Sequence, residues 1–346
     1  MEKVNIKNLT VDEMTEKFSE LGLESYRVTQ VRKWLYQKLV LSFEEMTDIR
    51  KEHRLLLEEY FFIPSLILHG FQQSGDGTRK YLMGLEDERT VECVWIPEPK
   101  RATLCVSSQV GCGMGCGFCL TATMGVLRNL KVYEITEQIA AVKRSLKEGE
   151  KITNLVFMGM GEPLANTRNL FPALNILLDP LGFGFSRHHI TVSTSGIAPE
   201  IEKFGNNTPV KLAISLNATT DKVRDEIMPI NQKFPLEKLF EACRKMHLPK
   251  RNKITFEYVM LHGINDTLED AKRLVKILSK LKAKLNLIPF NEYPGTSFKR
   301  PADEWVHQFQ KVLLNAGFVV NVRKSRGRDI LGACGQLAKK GWDREQ

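Results

Sequence analysis

Hydrophobic positions change period along the chain, and each change predicts a different kind of element. Behind Thr10-x-x-Glu13, a capping box, Met14, Phe18 and Leu21 recur at helical spacing, and Gly22 follows as a C-terminal stop. A second helix is predicted over Arg27–Tyr36, and a further capping box, Ser42-x-x-Glu45, predicts the start of a third. From 66 to 96 the period is two. LILHGF, RKYLMGL and VECVWI alternate and are separated by the turn signals SGDG and EDE, which predicts a short antiparallel meander. From 101 onward, strand patterns at Arg101–Ser107, Ile152–Met158, His188–Ser193, Val210–Leu216, Ile254–Met260 and Lys284–Ile288 alternate with helix patterns such as the face Ile135, Ile139, Val142, Leu146. Six such repeats predict an α/β fold with a parallel sheet and helical crossovers, curled into a partial (β/α)6 barrel. The predicted organisation is an N-terminal helical accessory module (1–62), an antiparallel β connector (63–97), the barrel (98–324) and a C-terminal tail (325–346).

In a parallel α/β sheet, chemistry gathers where strands end and loops begin. The unusual residues of this chain fall at those places. A cysteine-rich loop follows the first barrel strand, and Gly159-Met160-Gly161-Glu162-Pro163 follows the second. Ser193-Thr194-Ser195-Gly196 follows the third, Ser215-Leu216-Asn217 closes the fourth, and Pro289-Phe290-Asn291 closes the sixth. These groups can hydrogen-bond a polar ligand or let backbone approach it.

The loop itself, SSQVGCGMGCGFCL, sets Cys112, Cys116 and Cys119 in the spacing C-x3-C-x2-C among glycines. Soft thiolates in one short loop fit an iron–sulfur cluster, and three of them leave one iron free to bind a small molecule. Structural zinc wants four closed ligands, and the next cysteine is Cys243. The chain has 346 residues, 42% hydrophobic and 26% charged, enough to bury a sizeable core. Seven cysteines at irregular spacing form no disulfide framework and argue for a reducing cytosol. The N-terminus lacks the apolar core of a secretory signal, and no apolar run reaches membrane-spanning length. A net charge of +9 favours a polyanionic partner. Lys and Arg in the N-terminal module, such as Arg27, Arg32, Lys33 and Lys38, serve either nucleic-acid contact or packing. Arg323-Lys324-Ser325-Arg326-Gly327-Arg328 lies six residues before Cys334.

C-x3-C-x2-C after a first barrel strand, with Gly-Met-Gly-Glu-Pro after the second, resembles the radical S-adenosylmethionine (SAM) superfamily. RATLCVSSQVGC, FMGMGEPLAN, STSGI, IMPIN and DILGACGQL are together similar to its RNA adenine-C2 methyltransferases, the RlmN family, with motif matches from about Thr90 to Leu337 and a similar N-terminal module. The resemblance implies a radical-SAM barrel whose Cys112, Cys116 and Cys119 hold a [4Fe-4S] cluster. It implies that Gly161, Glu162, Ser193, Ser215, Leu216, Asn217 and Asn291 bind SAM, although the family often has His where Asn217 stands. Two SAM molecules are used per turnover. The first methylates the Cys334 thiolate, favoured by the positive field of Arg323, Lys324, Arg326 and Arg328. The second yields a 5′-deoxyadenosyl radical that abstracts hydrogen from the S-methyl group, and the methylene radical adds to C2. Glu92 takes the C2 proton, and Cys105 then forms a disulfide with Cys334 and releases the base. The implied substrates are an adenosine of 23S rRNA and the tRNA adenosine 3′ of the anticodon. An electron donor such as flavodoxin, a cytoplasmic monomer and no membrane complete the expectation.

Without the resemblance, these residues read differently. Cys105 in an apolar strand is a packing cysteine, Glu92 beside Cys93 is a solvent-facing acid, and only Cys334, in a basic tail between Ala333 and Gly335, is oddly placed. Cys93 and Cys243 read as structural. His188-His189, on a strand, would point to opposite faces and make no joint ligand pair. The competing functions are C8 methylation of the same rRNA adenine by the sister group, and a non-catalytic RNA-binding or electron-transfer protein.

Overall fold

In the N-terminal module the Thr10 capping box forms as predicted. Thr10 Oγ1 accepts from Glu13 N (3.2 Å) and Glu13 Oε2 accepts from Thr10 N (2.7 Å), opening the helix Val11–Glu20. The protein is seen in a computed structural model that describes residues 2–249 and 252–338, so residues 339–346 of the predicted tail lie outside the described residues. The second helix, Tyr26–Lys33, widens into a π turn over Trp34–Lys38 and stops at Leu39, whose φ is 61°. Ser42-x-x-Glu45 opens no helix, contrary to expectation. Ser42 Oγ donates to Glu45 Oε1 instead of accepting from its backbone, and the same oxygen accepts from Leu41 N and Ser42 N (both 2.9 Å), tying a loop. The third helix begins at Lys51 and runs to Tyr60.

The module has its own apolar core, with Met14, Phe18, Leu35 and Phe61. Buried charge pairs attach it to the barrel. Lys7 Nζ meets Glu137 Oε1 at 2.6 Å, Arg144 takes the other oxygen at 2.9 Å, and Arg32 pairs with Asp179. Removing one partner of such a pair strands the other in low dielectric, so these contacts fix the module's position more than they add stability. Arg27 and Arg32 are buried, while Lys33 and Lys38 are exposed.

The meander is not a separate piece. Ile67–Gln73, Arg79–Gly84 and Thr90–Glu98 pair antiparallel, and the last pairs with Arg101–Cys105, making one ten-stranded sheet with the barrel. From Arg101–Cys105 onward pairing is parallel, through Asn154–Phe157, Ile190–Thr194, Lys211–Ser215, Ile254–Met260 and Ala283–Pro289. A seventh parallel strand, Val320–Val322, closes the edge. Its three residues are too few for alternation to reveal it. Leu104, Leu155, Val192, Leu212, Phe256 and Leu285, all buried, belong to one core. His188 and His189 lie in a 3-10 turn (Arg187–His189) ahead of their strand, so the opposite-face expectation does not hold for them. No helix of the described residues is long and apolar enough to cross a membrane.

Candidate active site

The cysteine loop is gripped at both ends. Gln109–Gly111 pairs antiparallel with Val126–Asn129, and Cys112 N donates to Gly125 O at 2.7 Å. Gly111 must be glycine here, since its φ is +76° and a Cβ would stand 1.9 Å from Gly125 O. Cys112, Cys116 and Cys119 all line one cavity at the C-terminal edge of the sheet. Burial pushes the Cys112 thiol up to about 12 and the Cys116 and Cys119 thiols upward as well. Free thiols in this setting are protonated, so the loop presents sulfur whose deprotonation a metal group must drive.

The same cavity also carries polar groups and close-packed glycines among apolar side chains. They include Gly159, Gly161, Glu162, Ser193, Thr194, Ser195, Ser215, Asn217 and Asn291. Gly161, at φ +103°, allows the wall to close on Gln109, whose N lies 2.7 Å from where a Cβ would be. Glu162 is buried and committed to backbone donors, Leu164 N at 3.0 Å and Ser195 N at 2.6 Å, while burial pushes its carboxyl up. Asn217, left-handed at φ 56°, accepts from Val259 N at 2.8 Å and so bonds to the neighbouring strand. Asn291 donates to Cys334 O at 3.3 Å, and its buried Oδ1 has no partner among the described residues. Leu216 differs from expectation. Its side chain is fully buried outside the cavity lining, its N–H donates to Glu257 O (2.9 Å), and its carbonyl accepts from Arg224 Nε (3.0 Å).

Three soft thiols from one loop, sharing a cavity with polar groups and the orphaned acceptor of Asn291, fit an iron–sulfur cluster with a polar small molecule beside it.

The tail turns back over this cavity. Leu120 N donates to Gly335 O (2.7 Å), Thr121 Oγ1 to Leu337 O (2.6 Å) and Gln336 Nε2 to Glu292 O (2.8 Å). Cys334 thereby comes to line the thiol cavity and also a second, larger one, which holds Cys105. Arg101, His188, His189, Lys211, Lys284 and Arg323 give the second cavity a basic lining. All cysteines are free among the described residues. Cys334 is accessible from within the cavity, yet surrounding protein pushes its thiol up. Arg323 works against that shift, and Arg326 is turned toward Asp76 at 3.9 Å. Burial and the neighbouring Cys334 push the Cys105 thiol up too.

Glu92 is not solvent-facing. It is 1% exposed, and Oε1 lies 3.3 Å from the equally buried Lys80 Nζ. The register Val94↔Cys105 sets Glu92 two residues farther along the face that carries Cys105, outside the lining of either cavity.

Two residues escaped the sequence reading. Arg224 is fully buried and donates to Leu216 O, Ser195 O (2.7 Å) and Asn231 Oδ1 (3.0 Å), joining two strand ends to the following loop. Glu257 lines both cavities. The available signal for Glu257 was one acid inside the apolar strand ITFEYVM.

Residues 106–275 match the family described as "Radical SAM superfamily", and residues 4–63 match "Ribosomal RNA large subunit methyltransferase N-terminal domain". The chain is 51% identical over 337 residues to the dual-specificity RNA methyltransferase RlmN of Geotalea uraniireducens, covering 97% of each chain. It is 52% identical to the protein of that name from Geobacter sulfurreducens, covering 97% of this chain and 92% of the relative. Among solved structures, a radical SAM methyltransferase from Sphaerobacter thermophilus superposes with a TM-score of 0.91 at 38% identity, covering 96% of this chain and 99% of that one.

Proposed function

The chain belongs to the RlmN family of dual-specificity RNA methyltransferases, and we propose that it methylates C2 of an adenine in 23S rRNA and in the tRNA adenosine 3′ of the anticodon. One observation carries the reading: Cys334 stands on the wall shared by a thiol-lined cavity and a basic cavity that holds Cys105. C2 of adenine is an electron-poor carbon between two ring nitrogens, so an electrophilic methyl is mismatched to it and a carbon radical is not. Cys112, Cys116 and Cys119 would hold the [4Fe-4S] cluster, and Gly161, Glu162, Ser193, Ser215, Asn217 and Asn291 the SAM. When bound, these supply a 5′-deoxyadenosyl radical. Leu216, between Ser215 and Asn217, would back this wall from behind the lining.

The chain's own residues do the rest. Cys334 accepts a methyl group on sulfur from one SAM and presents that carbon to RNA in the basic cavity. Glu92, ion-paired with Lys80 on the strand beside Cys105, takes the proton from C2 of the base brought to it. Cys105, as the thiolate, attacks the Cys334 sulfur; the S–C bond breaks with its electron pair going to the carbon on C2, which takes up a proton to become the methyl group, and the disulfide that forms needs a later two-electron reduction. A cytoplasmic monomer supplied with electrons by a donor such as flavodoxin completes the reading.

Mass spectrometry of nucleosides from RNA treated with anaerobically reconstituted enzyme tests it. 2-Methyladenosine is expected, together with 5′-deoxyadenosine. 8-Methyladenosine alone would move the chain's chemistry to the sister reaction, and absence of 5′-deoxyadenosine would favour a non-catalytic protein.

A further inference from the structure

Four neighbouring strands carry polar residues in one register row: Ser215 pairs with Glu257, Glu257 with Asn286, and Asn286 with Asn321. In a ladder, such partners share a face. Glu257 is the only ionisable member of the row, and it is 5% exposed. Buried carboxyls ordinarily have their oxygens occupied. Asn286 Nδ2 donates to Glu257 Oε1 at 2.8 Å, and Asn321 Nδ2 approaches Asn286 Oδ1 at 3.4 Å, which orients the amide. Glu257 Oε2 has no hydrogen-bond partner among the described residues, and Glu257 lines both cavities.

The surroundings suit a flat heteroaromatic ring. Met158 and Ile288, like Glu257, line both cavities and offer apolar surface. Cys334 lines the same two cavities from the tail. Burial pushes the Glu257 carboxyl up, while Arg323 at the sheet edge, the Asn286 amide and Lys284 on the adjoining strand favour its charged, accepting form. Enzymes that modify a base read it by hydrogen bonds to its Watson–Crick edge. On that edge of adenine the 6-amino donor and C2 flank N1, so a group binding the amino group belongs beside the group that attacks C2.

We propose that Glu257 selects adenine, its free oxygen accepting a hydrogen bond from the 6-amino group of the base presented to Cys334. The assignment rests on the functional reading above. Guanine and hypoxanthine carry an oxygen at that position and would set acceptor against acceptor.

The test uses reconstituted holoenzyme and substrate RNAs with adenine, purine or hypoxanthine at the target position, scoring methylated nucleoside by mass spectrometry. The wild-type enzyme should prefer adenine over purine, which lacks the amino group, by about tenfold or more in kcat/KM. Glu257→Ala should methylate both at one reduced rate. In Glu257→Gln, Asn286 retains the amide oxygen and an N–H faces the slot, so the ratio of adenine to hypoxanthine should fall about tenfold. Wild-type indifference between adenine and purine, or a variant that keeps the wild-type ratio, overturns the assignment while C2 methylation stands. A wild-type enzyme that methylates no adenine at C2 overturns the functional reading and takes the assignment with it.

Discussion

The cysteine loop and the C-terminal tail both deliver sulfur to the same cavity, but they are positioned by different forces. The loop carries its instructions locally: a fixed spacing of three thiols, a glycine where no Cβ fits, and a two-stranded clasp of neighbouring sequence. The tail borrows its position. Gly335, Leu337 and Gln336 are held by Leu120, Thr121 and Glu292, more than forty residues away in each case, and Asp329 is anchored to Ser74 Oγ at 2.5 Å. A locally built element can hold a cofactor throughout the cycle. One held by a few long-range bonds can carry a reactive group that must meet two partners.

Substitutions should separate the two regions. The largest effect is expected in the loop, where Cys116→Ala should remove both cluster iron and 5′-deoxyadenosine formation. Cys334→Ala should leave iron content intact while methylated RNA falls to background, so equal iron loss in both variants would dissolve the distinction. Cys105→Ala should stop one step later, with RNA remaining attached to the protein on a denaturing gel. Free methylated RNA at normal yield would remove Cys105 from the reaction.

Loosening the tail should cost less. Gln336 is 1% exposed, donates to Glu292 O and accepts from Ala333 N at 3.2 Å. Its change to Ala forfeits buried hydrogen bonds of about 1–3 kcal/mol, so the methylation rate should fall roughly tenfold at unchanged iron content. The smallest change is with pH. Because the protein surrounding the cavity raises the Cys334 thiol, the reactive thiolate is scarce at neutrality, and methylation of Cys334 itself should speed up as pH rises through and beyond the ordinary thiol range. A rate flat across that range would mean that bound partners lower the thiol's pKa.

Legibility followed the same division. The cysteine triplet, the Thr10 cap and the strand ends bearing Gly161, Glu162, Ser193, Ser215 and Asn217 were readable because short-range chemistry defines them. Ser42-x-x-Glu45 has the letters of a capping box, but Glu45 Oε1 accepts from both Leu41 N and Ser42 N and closes a loop instead. Val320–Val322 is too short for alternation to mark, and His188-His189 precede their strand, which starts at Ile190. Glu257 and Arg224 gave no local pattern. A single charge in an apolar segment acquires meaning only when the register supplies its neighbours.

The passage of carbon through Cys334 can be measured directly. Enzyme first incubated with SAM carrying a 13C methyl group, freed of it, and then given unlabelled SAM, reductant and RNA for one turnover should yield a first equivalent of 2-methyladenosine that carries the 13C. An unlabelled first equivalent would contradict transfer through the protein's own sulfur.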